Sequence, residues 1–383
     1  LCNRESFVQI ISTGPDLYIQ FKTGSAQPLY NGFKASYLFE TNQTSLHSLS
    51  AVTTSTISPL KIESIQIPQT EPVEDLLHKD ETTESSRNCP EMATKPNGLS
   101  LEITEYLATK GLSVQCLLRE GGYSYVYKAV SGDSQLAVKV INLEKQSERD
   151  RKEFLPQEIQ ISRSVDHKYI MKTHDIYELS DKFVIMISDF ADGGDLVTIL
   201  DRNVEIDERC ARLWFAQVVE AVVYLHGTGV AHRDIKPDNV LIHGGVAKLC
   251  DFGLARKSVD ETTGALVLSD IACGTVDYQS PEQFACELYA KPYDPFVSDC
   301  YSLGVLLFMM ITLEFPYDCE NIDFHCDQHL KSLLDKQMKQ KWKLSDKHRE
   351  DKELISLLKQ LMNPDVSARI RSSQILSHPW FSK

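Results

Sequence analysis

The sequence has little of what marks nucleic-acid-binding, membrane and metal-thiolate proteins. It carries 40 basic against 54 acidic residues, a net charge of -14, and no block of lysine or arginine, so neither nucleic acid nor an anionic membrane surface is expected as a partner. The longest apolar run, from Gly304 to Leu313, is about half as long as the roughly 20 residues that a transmembrane helix needs. It predicts a buried core helix and no transmembrane span. None of the ten cysteines forms a C-x-x-C pair, which leaves zinc binding and dithiol redox chemistry without support.

What the chain does have is ordinary globular composition. Its 383 residues are 42% hydrophobic and 25% charged, which excludes a collagen, a coiled-coil rod and a wholly disordered chain. The length predicts more than one domain. The character of the sequence changes twice along the chain, which divides it into three stretches.

Residues 1–40 alternate apolar and polar side chains, with turn residues such as Gly14-Pro15-Asp16 between them, which predicts three short strands. The spacing Ser12-Thr-Gly, Leu17-Tyr-Ile-Gln-Phe and Gly32-Phe-Lys-Ala-Ser-Tyr resembles the closing strands of a CUB domain, an extracellular β-sandwich. A β-rich segment unrelated to that family is the alternative. Residues 41–99 are rich in Ser, Thr, Pro, Gln and Glu, so we expect a disordered linker. Residues 100–383 are denser, with a β-rich start, a charged helical pattern over 147–165 and mostly helix after the later strands.

The strongest chemical signal is the stretch Ala231-His-Arg-Asp-Ile-Lys-Pro-Asp-Asn, followed by Asp251-Phe-Gly. Phosphoryl transfer needs a carboxylate near the attacking hydroxyl, oxygen ligands for magnesium and a cation near the phosphates. Asp234 offers the carboxylate, Lys236 the cation, and Asn239 with Asp251 the metal ligands. The stretch resembles the catalytic loop and metal-binding motif of eukaryotic protein kinases.

This resemblance spans roughly residues 110–381 and implies a fold, a reaction and two cofactors. The fold is α+β: a bilobal protein kinase domain over 100–383, with a β-rich N-lobe and a helical C-lobe, preceded by the short β-rich segment and the linker. The cofactors are ATP and Mg²⁺. Lys236 follows Asp234 as in the serine/threonine enzymes, and Thr275 agrees because it can bridge Asp234 and Lys236. Phrases such as Phe154-Leu-Pro-Gln-Glu-Ile and Asn363-Pro-Asp-Val-Ser-Ala-Arg resemble the testis-specific serine/threonine kinases of the calmodulin-dependent kinase group.

Carried over residue by residue, the resemblance places ATP in the first half of the domain. Leu136-Ala-Val-Lys-Val matches the strand of the ATP lysine, so Lys139 is expected to contact the α- and β-phosphates and to pair with Glu158, with Glu153 as the competing partner. Aligning Gly193-Gly-Asp puts Ser188 at the gatekeeper position, and Cys250 is expected to line the same cleft. The positions assigned to ATP are Leu118, Glu120, Gly121, Gly122, Val126, Ala137, Lys139, Asp189, Ala191, Asp195 and Leu241.

The glycine-rich loop departs from the family pattern. The three glycine positions fall on Arg119, Gly121 and Ser124. Glycine lets the backbone approach a phosphate closely, so we expect Arg119 and Ser124 to stiffen this hairpin.

The activation segment, from Asp251 to Glu282, departs at one position that bears on regulation. Ile271 stands where the branch carries an activating threonine, whose phosphate Arg233 would contact. Either Asp270 partly substitutes for the phosphate, or Ser269 is phosphorylated instead, or the segment orders without added charge. The resemblance also implies that Glu282 pairs with Arg369 and that Asp299 anchors the catalytic loop.

Together the motifs predict a serine/threonine protein kinase, transferring the γ-phosphate of ATP to Ser or Thr of protein substrates. A basic residue before the target could be received by Asp195 and Asp238. The alternative is a pseudokinase or interaction scaffold, which Arg119, Ser124 and Ile271 keep open. ATP chemistry predicts a cytoplasmic location, with which a CUB-like N-terminal segment conflicts; an extracellular binding module is the third possibility.

Overall fold

The computed structural model describes residues 99–202, 206–317, 326–342, 344 and 346–382. The predicted β-rich segment over 1–40, its resemblance to a CUB domain and all but the last residue of the predicted linker lie outside the described residues. Within them, the chain first forms a sheet-rich lobe and then a helical lobe. The predicted α+β, two-lobed architecture is confirmed.

The first lobe is built on one antiparallel sheet of five strands. The strands are β1 (Ser113–Glu120), β2 (Ser124–Ser131), β3 (Ser134–Asn142), β4 (Thr173–Leu179) and β5 (Phe183–Asp189). Their order in the sheet is β1-β2-β3-β5-β4. Successive side chains of a strand point to opposite faces, and the buried residues of β3 divide accordingly: Val138 and Val140 lie in one apolar cluster and Ile141 in another.

A helix that the sequence analysis did not predict covers the face bearing Val138 and Val140. This helix, α1 (Leu101–Thr109), buries Ile103 and Leu107 in the same cluster. Ser100 caps it, because its Oγ accepts a hydrogen bond from the Ile103 amide at 3.3 Å and so satisfies a free N-terminal donor.

The opposite face of the sheet packs against a second helix, α2 (Leu155–Ser164), through Leu155, Ile141, Val184 and Met186. A π-helical turn, Asp150–Phe154, leads into it, so the charged helical pattern over 147–165 is confirmed in its main part. Lys139 shares its side of β3 with Ile141, and this alternation directs the lysine side chain toward α2.

The second lobe is mainly helical. Its helices are α3 (Leu196–Asp201), α4 (Glu208–Gly227), α5 (Pro281–Tyr289), α6 (Pro295–Thr312), α7 (Asp327–Met338), α8 (Lys352–Leu361) and α9 (Ser372–Ile375). Its short strands are β6 (Gly194–Asp195), β7 (Val230–Ala231), β8 (Val240–His243), β9 (Val246–Leu249) and β10 (Arg256–Lys257). They form a three-stranded sheet, β6-β8-β9, and a two-stranded pair, β10-β7. The catalytic loop joins β7 to β8.

Helix α6 is the central helix of this lobe and is buried over most of its length. At Gly304 it touches α8 so closely that a Cβ would lie 2.7 Å from Cγ of Met362 and 2.9 Å from Cβ of Leu361. In the described ranges, α6 is the one helix whose length and composition would suit a membrane span, but 78% of it is buried inside the fold. The prediction of a buried core helix at Gly304 is confirmed.

Candidate active site

Asp299 of the core helix α6 fixes the backbone of the catalytic loop. Asp299, only 1% exposed, accepts backbone hydrogen bonds from His232 at 2.8 Å and from Arg233 at 2.8 Å. Nε2 of His226, near the end of α4, lies 2.9 Å from the same carboxylate. Arg233 has a φ of +64°, a conformation that L-residues rarely adopt, and these bonds hold it there.

Four donors fix the carboxylate of Asp234. Its Oδ1 accepts from the amide and the hydroxyl of Thr275, each at 3.0 Å. Its Oδ2 accepts from Nδ2 of Asn239 at 2.9 Å and lies 2.9 Å from Nζ of Lys236. Lys236 also donates to Thr275 Oγ1 at 2.6 Å, so Thr275 bridges Asp234 and Lys236. The carboxylate therefore has one fixed orientation beside a fixed cation.

Thr275 reaches Asp234 because the residue before it is a glycine. Gly274 has a φ of +96°, and a Cβ on it would lie 2.5 Å from the carbonyl oxygen of Arg233. Any other residue would push the activation segment away from the catalytic loop.

Lys139 lies between two carboxylates. Its Nζ is 2.8 Å from Oε1 of Glu158 and 3.0 Å from Oδ1 of Asp251. Glu158 is buried in α2, whereas Glu153 is exposed and pairs with Arg149 at 3.2 Å. The structure thus joins Lys139 to Glu158 and not to Glu153.

The charge of Lys139 and those of Asp251 and Glu158 stabilise one another. Burial alone would lower the pKa of Lys139, but the negative charges of Asp251 and Glu158 outweigh burial and raise it well above its usual value. Lys139 in turn holds the pKa of Asp251 far below its usual range, against the effect of burial. Both groups keep their charge across the working range of pH, so a fixed cation is available for anionic phosphate.

Asn239 and Asp251 lie close together and offer oxygen ligands. The Cys250 amide donates to the carbonyl of Asn239 at 2.9 Å, which places Asp251 beside it. Asn239 uses its Nδ2 on Asp234, so its Oδ1 is left to accept or ligate. Magnesium prefers oxygen and is usually held by one or two carboxylates together with substrate phosphates. The pair fits such a site, and the described residues contain no group of three or more His, Cys, Asp or Glu side chains that could hold a metal on their own.

The positions assigned to ATP lie along the β1–β2 hairpin, β3, the end of β5 and β8. Leu118 and Glu120 end β1, Gly121 and Gly122 form the turn, and the Gly121 amide donates to the Ser124 carbonyl at 2.7 Å. Val126 pairs with Lys139 across β2 and β3, and Ala137 pairs with Ser188 across β3 and β5. Leu241 lies on β8, where it pairs with Asp195 of β6.

Two acidic residues among these positions are already hydrogen-bonded. Oδ1 of Asp189, the last residue of β5 and two residues before Ala191, lies 2.7 Å from Nε2 of His174. Asp195 caps α3, because its Oδ1 accepts from the Thr198 amide at 2.7 Å. One carboxylate oxygen of Asp195 is therefore committed to the fold. Cys250 is half-buried, and burial raises the pKa of its thiol.

Ser269 connects the activation segment to the catalytic loop. Ser269 is 8% exposed, accepts from Nη1 of Arg233 at 3.1 Å and donates to the Ile271 carbonyl at 3.1 Å. Its backbone pairs with Tyr293 in a β-bridge. Asp270 is exposed, and the Arg233 side chain bonds Ser269 and the Leu254 carbonyl, so these contacts do not support the hypothesis that Asp270 replaces the phosphate.

The end of the activation segment is fixed by a buried ion pair. Arg369 is 2% exposed, and both of its terminal nitrogens bond Glu282, with Nη2 2.9 Å from Oε2. Nη1 also donates to the Val297 carbonyl at 3.0 Å, which ties α5 to α6.

Sequence reasoning missed three contributors. His226 and Tyr293 lie in no motif, and each reaches its partner only through the tertiary fold. The third is a contact between the lobes: Nη2 of Arg119 lies 3.3 Å from Oδ1 of Asp238. The departure of Arg119 from the glycine pattern was the signal that could have drawn attention to it.

Comparison with known proteins agrees with this geometry. The model of the protein kinase domain family matches residues 113–381. Testis-specific serine/threonine-protein kinase 3 of Homo sapiens is 34% identical over 284 residues, which cover 73% of this chain and 98% of the relative. Testis-specific serine/threonine-protein kinase 2 of Mus musculus is 33% identical over 277 residues, 72% of this chain and 74% of the relative. Serine/threonine-protein kinase cds1 of Schizosaccharomyces pombe is 32% identical over 279 residues, 69% of this chain and 57% of the relative.

Proposed function

The chain belongs to the protein kinase family and is a serine/threonine protein kinase, and from this premise we propose how its residues divide the work of phosphoryl transfer. The family implies ATP as the phosphoryl donor, typically with Mg²⁺. A scaffold without activity is not favoured, because the residues that phosphoryl transfer needs are all present. Lys139 contacts Glu158 and Asp251, and Asn239 contacts Asp234.

Asp234 is the residue that receives the substrate hydroxyl. The observation that carries this proposal is its carboxylate held by Thr275, Asn239 and Lys236. In the transfer, the Ser or Thr oxygen forms a bond to the γ-phosphorus, the bond from that phosphorus to the β,γ-bridging oxygen breaks, and ADP leaves with the electron pair. Asp234 would orient the hydroxyl and take its proton, and the Lys236 ammonium would stabilise the charge of the phosphoryl group during transfer.

Lys139 positions the donor. Its ammonium would contact the α- and β-phosphates of bound ATP, and Glu158 holds the ammonium in place from α2. Asn239 and Asp251 would hold the magnesium ion, which neutralises phosphate charge when bound. In the present structure Asp251 contacts Lys139 through Oδ1, which leaves Oδ2 for a metal.

The substrates we propose are proteins with a basic residue before the target Ser or Thr. The surface beside the catalytic loop is acidic. Burial raises the pKa of Tyr278, and the carboxylates of Asp238, Asp277, Asp234 and Asp201 raise it further. A lysine or arginine of a substrate would be attracted to this surface, with Asp238 and the uncommitted oxygen of Asp195 as its partners.

We further propose that the activation segment is ordered without phosphorylation. Ser269 already accepts a hydrogen bond from Arg233, and its buried hydroxyl donates one to the Ile271 carbonyl. Placing a phosphate there would require the segment to open first.

Since the reaction of the chain uses ATP, we also propose a cytoplasmic location. Recovery of the chain only from a secreted fraction would overturn that proposal.

The test of the function is a transfer assay on the full chain. The protein is incubated with γ-³²P-labelled ATP, Mg²⁺ and a mixed set of basic Ser and Thr peptides, and the label is traced to phosphoserine or phosphothreonine after hydrolysis. Labelled peptide is the expected result. Unlabelled peptides, with ATP binding intact, would overturn the catalytic proposal and leave a nucleotide-binding scaffold.

A further inference from the structure

The side chain of Arg119, a residue of the first lobe, contacts the catalytic loop of the second lobe. It stands on β1, at the first glycine position of the phosphate-binding hairpin, and its side chain is 57% exposed. Its Nη2 lies 3.3 Å from Oδ1 of Asp238, which lies in the short turn Pro237–Asn239 of the catalytic loop. Glycine has no side chain that could make this contact.

The surroundings of Asp238 make the contact unusual. After burial, the strongest effects on the pKa of the Tyr278 hydroxyl come from carboxylates, and Asp238 is first among them. Across the described ranges, Arg119 is the one cation that forms an ion pair with Asp238. The charge of Arg119 also reaches Cys250, as does that of Asp195. Arg119 therefore contacts Asp238, one of the two carboxylates that we assign to the basic residue of a substrate.

We propose that Arg119 is a specificity-determining residue, which occupies Asp238 in the free enzyme and competes with the basic residue of the substrate for it. The inference rests on the proposed substrate class. Binding of a basic peptide exchanges one ion pair for another: the substrate cation takes Asp238, and the Arg119 side chain turns out to solvent or toward the phosphates. The chain consequently selects for a basic residue less strongly than it would with glycine at this position.

The exchange has a small free-energy cost. The pair consists of one contact between two partly exposed side chains, and exposed pairs of this kind contribute about 0.2–1 kcal/mol, which corresponds to a factor of about 1.4–5 in affinity. Salt screens charges at such a surface, so the competition should weaken as ionic strength rises. A substrate arginine can bind the carboxylate through two parallel bonds and displace a singly bonded Arg119.

The experiment measures peptide affinity without requiring turnover. Two fluorescent peptides differ only in arginine or glutamine before the target serine, and fluorescence anisotropy gives their dissociation constants for the full chain. The variants are Arg119→Gln, which keeps a long polar side chain but removes the charge, and Arg119→Lys, which keeps the charge. Because the readout is the ratio of the two affinities, general effects of the substitution on the hairpin cancel.

We expect Arg119→Gln to increase the preference for the arginine peptide by about 1.4- to 5-fold at low salt, and Arg119→Lys to leave the ratio near that of the wild type. In an Asp238→Asn background, Arg119→Gln should change the ratio no further, because the carboxylate for which Arg119 and the substrate compete has been removed. The wild-type preference should also differ less from that of Arg119→Gln at high salt.

An unchanged ratio in Arg119→Gln would overturn the inference. Failure of every variant to bind the arginine peptide more tightly than the glutamine peptide would overturn it too, because Asp238 would then receive no substrate base. A shift in the ratio without any phosphate transfer from ATP would support the role of Arg119 and contradict the catalytic proposal, so the two failures are distinguishable.

Discussion

Among single residues, Glu158 and Glu153 offer the sharpest contrast, because both are glutamates at the start of one helical segment. Glu158 is buried against Lys139, while Glu153 pairs with Arg149 in solvent. Because Glu158 is buried, its contact holds the Lys139 ammonium in one position at the proposed nucleotide site.

Glu158→Gln should therefore lower kcat/KM for phosphate transfer by at least about tenfold, equivalent to about 1.4 kcal/mol of transition-state stabilisation. Lys139 would keep Asp251 but lose the partner that orients it from α2. Glu153→Gln is the matched control and should leave kcat/KM unchanged. Equal activity in the two variants would contradict the role of Glu158, and initial rates with labelled ATP decide between them.

The pair of Lys139 and Asp251 predicts how stability depends on pH. The folded-state pKa of Asp251 is depressed, so its contribution is complete above its usual value of 3.8 and is lost as the pH falls toward the lower folded value. The pKa of Lys139 is raised, so its contribution is complete below 10.5 and is lost only in stronger alkali. The contribution of the pair is thus constant through neutral pH.

Asp251→Asn should consequently be less stable than the wild type at pH 7 and closer to it in acid. The measurement is the urea midpoint of both proteins at neutral pH and at steps below the ordinary aspartate pKa of 3.8. The difference between the midpoints should shrink as the pH falls. A difference that grew in acid would contradict the sign of the shift.

At the scale of elements, the activation segment is joined to the catalytic loop by Ser269 and Thr275. Arg233 donates a hydrogen bond to Ser269, and we propose that this bond replaces the contact between Arg233 and a phosphate. We expect phosphatase-treated protein, shown by mass spectrometry to carry no phosphate at Ser269, to retain its activity.

Ser269→Ala tests the same contact from the other side. It would leave Nη1 of the buried Arg233 without this acceptor, a loss that costs about 1–3 kcal/mol, so the variant should melt at a lower temperature and transfer phosphate more slowly. Activity that appeared only after phosphorylation of Ser269 would show that the segment needs the added charge after all.

The same element scale includes the pair that fixes α5 to the rest of the second lobe. The side chain of Arg369 is 0% exposed and that of Glu282 12%, so Glu282→Gln should reduce the free energy of unfolding by about 3–5 kcal/mol. Arg371→Gln is the control: Arg371 pairs with Asp294 but is 48% exposed, and its loss should cost less than about 1 kcal/mol. Urea denaturation of both variants makes the comparison. Similar losses would show that burial does not decide the strength of these pairs.

Elements were predicted from the sequence unevenly. The β-rich stretch that contains Lys139 and the charged helical pattern that contains Glu158 were both predicted from the sequence. Helix α1 was not predicted although Ser100 is a good N-cap, because its only two buried residues, Ile103 and Leu107, are too few to establish a helical period. The role of Ser269 could not be predicted, since its partners, Arg233 and Tyr293, meet it only when the second lobe is folded.

At the scale of the whole molecule, the sequence predicted those parts of the candidate site whose residues belong to one short motif. Asp234, Lys236 and Asn239 lie within six residues of the sequence, and their spacing permits few arrangements. The pair of Arg119 and Asp238 joins positions 119 residues apart, and nothing in either local sequence relates them. Contacts between lobes depend on how the two halves pack, which a local pattern does not contain.

The two lobes meet at the cleft through Lys139 and Asp251 and through Arg119 and Asp238. The first pair forms part of the proposed nucleotide site, and the second lies on the proposed substrate side. A nucleotide should therefore be bound through residues that do not include Asp234, which makes binding and transfer separable in one variant.

The most direct measurement compares the wild type with Asp234→Asn, using labelled ATP, Mg²⁺ and a basic serine peptide, while thermal melting with and without ATP reports nucleotide binding. We expect transfer to fall by at least about 100-fold in Asp234→Asn, while ATP still raises the melting temperature of the variant as much as that of the wild type. Transfer at the wild-type rate in Asp234→Asn would contradict the assignment of Asp234 as the residue that receives the substrate hydroxyl.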